Sequence, residues 1–179
     1  TTWSRGLGDV YKRQEQTGKT LHWKMMDVIN NETVEEVAKY IKDKWGYLDV
    51  LVNNAAGNFV TPAAAMSENA WRAVIDIVLD GTFRVSKACY PLLRDNEEGS
   101  SIVNIIANYA WGAAPFVAHS GAAKAGVLNL TRSLALEWSD DNIRVNAMCP
   151  GVVLTDNVKK NLMLDESVVK SFESNIPAG

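Results

Sequence analysis

The sequence predicts an α/β fold built around a parallel β-sheet. From residue 20 onward, short runs of β-branched and aliphatic residues alternate with longer segments whose apolar residues recur at helical spacing. Each apolar run is far shorter than the roughly 18 residues that a membrane span needs. Strands that alternate with helices in this way are typical of a parallel sheet with helices on both faces.

The first predicted strand covers residues 21–28, and the first predicted helix covers residues 30–46. A capping box of Thr33 and Glu36 sets the start of the helix, and Gly46 sets its end. The apolar residues that share one face of this helix are Val34, Val37, Ala38 and Ile41.

Two further strand and helix units follow in the same order. A short apolar run at 48–52 predicts a buried strand, and a helix with one apolar face begins near Ser67. That face carries Trp71, Val74, Ile75, Val78 and Leu79. After a turn at 96–100, residues 102–106 predict the next strand.

The last predicted helix covers residues 119–138 and leads into a last strand. The helix is rich in alanine and is predicted to bury Val127, Leu130 and Leu134. In the strand, Ile143, Val145 and Ala147 alternate with Arg144 and Asn146. The strand is predicted to stop at the turn formed by Pro150 and Gly151.

The two ends of the sequence do not fit this pattern. Residues 1–14 contain Gly6 and Gly8, but no strand precedes these glycines and no helix follows them, so they do not predict a phosphate-binding loop. We expect this segment to be extraneous to a domain that covers 15–179, the alternative being a frayed natural terminus. Because residues 176–179 stop without a closing strand, we expect the chain to be a piece of a longer domain.

Composition argues against several classes of function. The 18 Lys and Arg residues against 21 Asp and Glu residues give a net charge of −3 and a pI near 5.4, so the basic character of a nucleic-acid-binding protein is lacking. The two cysteines and two histidines are scattered without metal-ligand spacing. We therefore expect no nucleic-acid partner, no disulfide framework and no structural metal.

A run of small and amide residues follows the predicted strand at 48–52. This run, residues 53–59, reads Asn-Asn-Ala-Ala-Gly-Asn-Phe. Ligands bind at the carboxyl ends of strands in open α/β sheets, and small residues there let a cofactor approach the backbone. The alternative is a tight turn in which asparagine and glycine serve only the turn geometry.

Three further candidate residues lie near the same edge of the predicted sheet. Ser120 and Lys124 are one helical turn apart and therefore share a face. A lysine on an alanine-rich surface is either partly desolvated and in contact with a ligand, or it extends to solvent. Tyr109 follows the strand at 102–106, where its hydroxyl could donate to a substrate oxygen or simply close the core.

Together these motifs resemble the short-chain dehydrogenase/reductase family, whose Rossmann-type fold binds a nicotinamide dinucleotide. The resemblance covers the chain from about residue 20 to its end. It is carried, in order, by Asp27, the run 53–57, the sequence Lys-Ala-Gly at 124–126 and the run 142–146 before Pro150. The resemblance implies a doubly wound parallel sheet that is incomplete, with its first two strands and its last strand apparently missing.

The positions that usually carry catalysis in this family are changed here. Ser120 stands where the usual members have tyrosine, Ala107 replaces the serine after the preceding strand, and Val78 replaces a helix asparagine. The sequence resembles the branch formed by the bacterial and mitochondrial 2,4-dienoyl-CoA reductases. In that branch the active tyrosine lies fifteen residues before the lysine, and Tyr109 stands at that distance from Lys124.

The resemblance implies a binding site for NADP(H). Asp27 and Val28 would contact the adenine, and Lys124 would hold the nicotinamide ribose. The residues implied to line the cofactor trough or to cover the nicotinamide are Asn54, Ala55, Ala56, Gly57, Pro150, Gly151, Val152 and Val153. Because the segment that selects NADPH over NADH would precede residue 20, the chain does not itself set that choice, and we expect it to bind cofactor poorly alone.

The resemblance also implies an acyl-CoA thioester substrate. Tyr109 and Asn58 would hydrogen-bond the thioester oxygen with the support of Ser120, and Phe59 and Ser67 would contact the acyl-CoA. The implied activity is NADPH-dependent reduction of 2,4-dienoyl-CoA to 3-enoyl-CoA in the β-oxidation of unsaturated fatty acids. The alternatives are a trans-2-enoyl-CoA reductase and a non-catalytic homologue that binds nucleotide or only oligomerises.

Family membership further implies a homotetramer formed through the helices at 67–94 and 119–138. We expect neither a membrane nor a nucleic acid among the partners. A bacterial cytoplasm is the expected location, and a mitochondrial or peroxisomal location stays open because targeting signals would lie outside the chain.

Overall fold

The computed structural model describes residues 20–151, together with Gln16 and Gly18. The segment 1–14, the residues Val152 and Val153, and the tail 176–179 lie outside the described residues. The helices and strands are, in order, α1 (Asn31–Trp45), β1 (Val50–Asn53), α2 (Glu68–Ile75), α3 (Gly81–Arg94), β2 (Ser100–Ile105), α4 (Ala118–Glu137) and β3 (Ile143–Met148).

The three strands form one parallel sheet in the order β1-β2-β3. In its register Leu51 lies opposite Ile102, and Ile102 lies opposite Val145 on the other side. A π-helical turn, Asp76–Asp80, joins α2 to α3, so the helix that begins after Ser67 is continuous to Arg94. The predicted parallel α/β sheet is confirmed.

A chain of polar side chains shows that α3 and α4 pack on the same face of the sheet. Asn53 of β1 donates through Nδ2 to Ser86 Oγ of α3 at 2.9 Å and to Asn104 Oδ1 of β2 at 2.8 Å. Asn104 in turn donates to Thr131 Oγ1 of α4 at 2.9 Å. Because side chains that bond across neighbouring strands lie on one face, both helices must cover that face. We call it the covered face.

The main core lies between the covered face and the helices. Ile102 of the central strand is completely buried, and Val34 brings α1 into the same cluster. The other buried residues of the cluster are Val85, Cys89, Leu93, Leu134, Ile143 and Val145. The alternation predicted for the last strand is confirmed, since Ile143 and Val145 are buried while Arg144 and Asn146 are exposed.

The opposite face, which we call the open face, is not covered by any helix of the described residues. On β1 the side chains of Val50 and Val52 are 52% and 55% exposed. The predicted buried strand at 48–52 was therefore wrong in its bounds and its burial, because the strand is Val50–Asn53 and its valines point away from the helices. Helices on both faces were expected, whereas those of the described residues lie on one.

Residues 21–28 do not form the predicted strand. A strand needs a hydrogen-bonded neighbour, and this segment has no strand beside it among the described residues. Instead it is attached by the backbone carbonyl of Val28, which accepts a hydrogen bond from Arg84 of α3. Val28 also packs so closely on Gly81 that a Cβ there would come within 2.9 Å of its Cγ2.

The cap of α1 differs from the predicted capping box. The N-cap is Asn30, whose side chain accepts hydrogen bonds from the backbone N–H groups of Glu32 and Thr33. The Thr33 hydroxyl instead donates to the carbonyl of Asp27 at 2.9 Å. Gly46 ends the helix as predicted, with a φ of 83° that favours glycine. None of the helices in the described residues is apolar over a length that would cross a bilayer.

Candidate active site

The candidate site lies where the carboxyl ends of β1 and β2 meet the first turns of α4. Parallel strands place all their carboxyl ends at one edge of a sheet, so the loops that follow β1 and β2 are neighbours there. One backbone hydrogen bond joins these loops, from Thr61 N to the carbonyl of Phe116 at 2.9 Å. Phe116 has a φ of 64°, which is rare for a bulky residue and shows that the surrounding contacts fix this conformation.

Tyr109 and Ser120 are in direct contact at this edge. A 3₁₀ turn, Asn108–Ala110, follows β2 and folds back onto α4, which brings Tyr109 Oη within 3.2 Å of Ser120 Oγ. Ser120 is buried and Tyr109 half-buried. The tyrosine hydroxyl thus arrives beside the α4 position that Ser120 occupies, although it comes from a different element.

Lys124 lies one turn further along α4 and is buried, with 7% of its surface exposed. Its Nζ donates to the carbonyl of Ile105, the last residue of β2, at 2.5 Å. Burial lowers the pKa of this lysine, because the charged form loses hydration. Of the two interpretations of Lys124, the extension to solvent is wrong because the side chain is buried, and the contact with a ligand stays a prediction.

Asn58 and Phe59 belong to the loop after β1. Asn58 is half-buried, and its Oδ1 has no hydrogen-bond partner among the described residues. The ring of Phe59 packs edge-on against the ring of His119, with 4.4 Å between centroids. Among the described residues, no hydrogen bond joins Asn58 to Tyr109.

Ser67 is exposed and caps α2, since its hydroxyl accepts a hydrogen bond from Ala70 N at 3.2 Å. It also lines a surface groove of about 680 Å³, and the lining includes Ala118, the first residue of α4. The groove therefore runs from the cap of α2 to the start of the helix that carries Ser120 and Lys124. This position is compatible with the predicted contact to an acyl-CoA.

The residues predicted to hold a cofactor lie along the carboxyl edge of the sheet. Asn54, Ala55 and Ala56 are exposed directly after β1, and Pro150 and Gly151 are exposed after β3. Val152 and Val153, predicted to cover the nicotinamide, lie outside the described residues.

A small cavity continues this edge toward residues 26–28. It has a volume of about 170 Å³ and is lined by Val28 on one side and by Asn54 and Ala55 on the other. Asp27, next to Val28, is exposed, and its carboxylate accepts a hydrogen bond from Ile29 N at 3.2 Å. An edge of small exposed residues fits an elongated dinucleotide. The ribose hydroxyls of a dinucleotide need a hydrogen-bond donor, and the buried Lys124 at the end of this edge is one.

His119 is a residue of this site that the sequence does not single out. It is completely buried, and both of its ring nitrogens have no hydrogen-bond partner among the described residues. Its position in the helix gives no sign of this environment, because the ring that packs on it belongs to Phe59, sixty residues earlier in the chain.

Comparison with known proteins identifies the family. A family model described as short chain dehydrogenase matches residues 4–164. The chain belongs to this family. Its members use nicotinamide cofactors, which agrees with the edge of small residues beside Lys124. The short-chain dehydrogenase fold also explains why the described strands are parallel and follow one another in the sheet.

Curated relatives point to one branch of the short-chain dehydrogenases. The chain is 43% identical over 155 residues to a Bacillus subtilis (strain 168) protein named as a probable 2,4-dienoyl-CoA reductase that produces (2E)-enoyl-CoA, and this match covers 86% of the chain and 61% of that protein. It is also 43% identical over 138 residues to the peroxisomal 2,4-dienoyl-CoA reductase of Rattus norvegicus, named as producing (3E)-enoyl-CoA, with 76% of the chain and 47% of that protein covered. The chain thus spans about half to three fifths of the length of these relatives.

A solved structure supports the same fold. The crystal structure of a short chain dehydrogenase from Bacillus anthracis str. 'Ames Ancestor' matches with a TM-score of 0.65 and 49% identity, over 70% of this chain and 51% of that one. Similarity to relatives named 2,4-dienoyl-CoA reductase, together with this fold, makes the chain part of an oxidoreductase family.

Proposed function

We propose that the intact protein reduces 2,4-dienoyl-CoA to 3-enoyl-CoA with NADPH, in the β-oxidation of unsaturated fatty acids. The observation that carries this proposal is the contact between Tyr109 and Ser120, 3.2 Å apart. It brings a phenol hydroxyl to Ser120, the position where the usual members of the family have tyrosine, one helical turn before Lys124. The relatives named 2,4-dienoyl-CoA reductase support the same substrate class.

The chemistry explains why a displaced tyrosine suits this reaction. When bound, the cofactor supplies a hydride to the far end of the conjugated diene. Negative charge then builds on the thioester oxygen, several bonds away from the carbon that is attacked. Tyr109 and Asn58 donate hydrogen bonds to that oxygen, and the loss of one such donor costs about 2.7–4 kcal/mol of transition-state stabilisation. An alcohol dehydrogenase must instead deliver a proton to the oxygen beside the attacked carbon.

The position of the final proton decides the product. A proton added to C2 of the dienolate gives 3-enoyl-CoA, whereas a proton added to C4 gives 2-enoyl-CoA. We favour C2, because the donors Tyr109 and Asn58 are proposed to act at the thioester end, next to that carbon. The names of the relatives include both products, so comparison of the product with authentic 2-enoyl and 3-enoyl standards tests this step. A product that is only 2-enoyl-CoA would place protonation at C4.

Lys124 holds the cofactor in this proposal. Its buried ammonium donates to the ribose hydroxyls of the nicotinamide half, while the Ile105 carbonyl fixes its Nζ at the edge of β2. Asp27 and Val28 contact the adenine end. NADPH rather than NADH is part of the proposal, and the ratio of kcat/KM for the two cofactors tests it.

The proposal includes a homotetramer in a bacterial cytoplasm. The helices that would form the interfaces expose large apolar side chains, among them Phe83 on α3 and Leu136 on α4, the latter 80% exposed. Buried interfaces between subunits would remove such residues from water. Light scattering on the intact protein tests the stoichiometry, and a monomeric mass would contradict it.

The decisive experiment follows NADPH oxidation by the intact protein with a 2,4-dienoyl-CoA and with a simple trans-2-enoyl-CoA. We expect the diene to be preferred, and we expect Tyr109→Phe to lower kcat about 10²- to 10³-fold with unchanged cofactor affinity. Tyr47→Phe is the matched control, because Tyr47 is half exposed and lines a cavity formed by α1 and residues 22–26.

Two other outcomes would reassign the protein. Turnover of the trans-2-enoyl-CoA alone would favour the second candidate, a trans-2-enoyl-CoA reductase, which the sequence resembles at 119–124. No turnover of either thioester, with a normal affinity for NADPH, would instead indicate a non-catalytic homologue.

A further inference from the structure

Two residues of the candidate site have buried polar atoms without partners. Among the residues that the structure describes, the buried side-chain nitrogen and oxygen atoms with no hydrogen bond are Asn58 Oδ1 and the two ring nitrogens of His119. Leaving such an atom unpaired costs about 1–3 kcal/mol, so native proteins rarely keep several in one place without a reason. Their concentration at one site indicates a hydrogen-bonding role.

Phe59 links the chain position of Asn58 to the ring of His119. Phe59 follows Asn58 directly in the chain, and its ring lies 4.4 Å from the ring of His119, centroid to centroid. The hydrogen bond between Thr61 and Phe116 holds the loop that carries Asn58 against the segment that precedes His119. The loop of Asn58 and the segment that leads into His119 are therefore neighbours.

The hydrogen-bonding groups of the two side chains are complementary. A carboxamide oxygen only accepts hydrogen bonds, and a neutral imidazole has one N–H donor and one nitrogen acceptor. Hydrogen bonds in active sites are often long in the free enzyme and shorten in the complex with substrate. An unpaired acceptor on one of two neighbouring segments and an unpaired donor on the other are consistent with a bond that forms at that stage.

We propose that His119 is a positioning residue that acts through Asn58 when the acyl-CoA binds. A ring N–H of His119 then donates to Asn58 Oδ1, which directs Nδ2 of the same carboxamide at the thioester oxygen. The two ends of a carboxamide are alike in shape but opposite in hydrogen bonding. Turned the other way, Asn58 would present an oxygen to the developing negative charge. This inference rests on the proposed function, and it states how Asn58, the second donor to the thioester oxygen, is oriented.

A purely structural role and a positioning role of His119 predict different results when the residue is replaced. Replacing a buried, unpartnered imidazole by an apolar side chain removes an unpaired polar group, which leaves stability unchanged or raises it. A positioning role predicts that kcat falls under that same substitution. Stability and turnover therefore move independently if the proposal is right.

The first experiment compares His119→Leu with His119→Gln in the intact protein. For His119→Leu we expect kcat with a 2,4-dienoyl-CoA to fall about 10- to 100-fold, with unchanged KM for NADPH and an unchanged or higher Tm. His119→Gln keeps an N–H donor and should restore most of kcat. An unchanged kcat in His119→Leu, or a glutamine variant as slow as the leucine variant, would overturn the proposal.

A double-mutant comparison tests whether His119 acts through Asn58. We expect Asn58→Ala to lower kcat more than His119→Leu does, and the double variant to be no slower than Asn58→Ala alone. Additive losses of the two substitutions would show that His119 acts by another route.

The last experiment separates this inference from the proposed function. Imidazole nitrogen and proton NMR of His119 is recorded with and without hexanoyl-CoA, a saturated thioester that cannot accept hydride. We expect a hydrogen-bonded ring N–H to appear with the thioester and to be lost in Asn58→Ala. Its absence would overturn the role of His119. A wild-type protein that oxidises no NADPH with the diene would instead overturn the proposed function, whatever the NMR shows.

Discussion

The two faces of the β-sheet differ in how completely the described residues cover them. On the covered face Ile102 is completely buried under the helices, whereas on the open face Val50 and Val52 are more than half exposed. The strand sequences already differ in the same sense. β3 alternates apolar and polar residues, which is typical of one-sided burial, but β1 reads Val-Leu-Val, which is typical of a strand buried on both faces.

This difference divides the candidate site into two parts. The contact between Tyr109 and Ser120 and the buried Lys124 rest on the packed interior, through α4 and the end of β2. The predicted adenine side, by contrast, depends on residues 26–28, which contact the core and the helices but pair with no described strand. The proposed catalytic groups are thus preorganised by the described core, while the cofactor trough is bounded on one side by a segment that has no strand pairing among the described residues.

The largest expected effect is a difference in the free energy of unfolding between substitutions on the covered face and on the open face. Ile102→Ala should lower the free energy of unfolding by about 2–5 kcal/mol, because it leaves a cavity in the central strand. Val52→Ala should change it by no more than about 0.5 kcal/mol, because its side chain is largely in water. Urea denaturation followed by circular dichroism measures both. Equal losses would show that the open face is covered in solution.

A smaller effect tests the polar chain on the covered face. Asn104→Ala would remove the hydrogen bonds that Asn104 makes with Asn53 and with Thr131, and we expect a loss of about 1–3 kcal/mol in the free energy of unfolding. Asn129→Ala, at an exposed position of α4, is the matched control and should be nearly neutral. If Asn104→Ala lowers the free energy of unfolding no more than the control does, water reaches these groups and the polar chain does not link α3 to α4.

The smallest effect concerns the pH dependence of cofactor binding. Because burial lowers the pKa of Lys124, its ammonium is lost at a lower pH than that of an exposed lysine. The KM for NADPH should therefore begin to rise below the usual lysine range as the pH increases. Lys124→Arg keeps its charge and should move this rise to higher pH, whereas Lys87→Arg, exposed on α3, should not. A rise at the same pH in both variants would exclude Lys124 as its source.

Much of the fold could be predicted because its signals are local. Residues close together in the chain are enough to show the periodicity of α1, α4 and β3 and the glycine that ends α1. Strand pairing is not local, so residues 21–28 looked like a strand although no strand lies beside them in the described residues. The capping box of Thr33 and Glu36 is a local pattern, but the Thr33 hydroxyl bonds the carbonyl of Asp27 and Asn30 caps the helix.

The candidate site could be predicted only in part. The spacing of Tyr109 and Lys124 marks the two residues, but their environment depends on contacts that no spacing contains. The carbonyl of Ile105 that holds Lys124 and the hydroxyl of Ser120 beside Tyr109 become neighbours only when α4 packs on β2. His119 escapes prediction for the same reason, since the ring that covers it belongs to the loop after β1.

The exposed edge of β1 has a consequence for handling this polypeptide in a test tube or a cell. With no described strand on its outer side, β1 offers unpaired backbone groups beside Val50, Leu51 and Val52, the composition that favours intermolecular strand pairing and fibril-like aggregates. Asp49, directly before the strand, is the kind of charged residue that slows such association. We therefore expect the solubility of this chain to fall more steeply with concentration than its packed helices suggest.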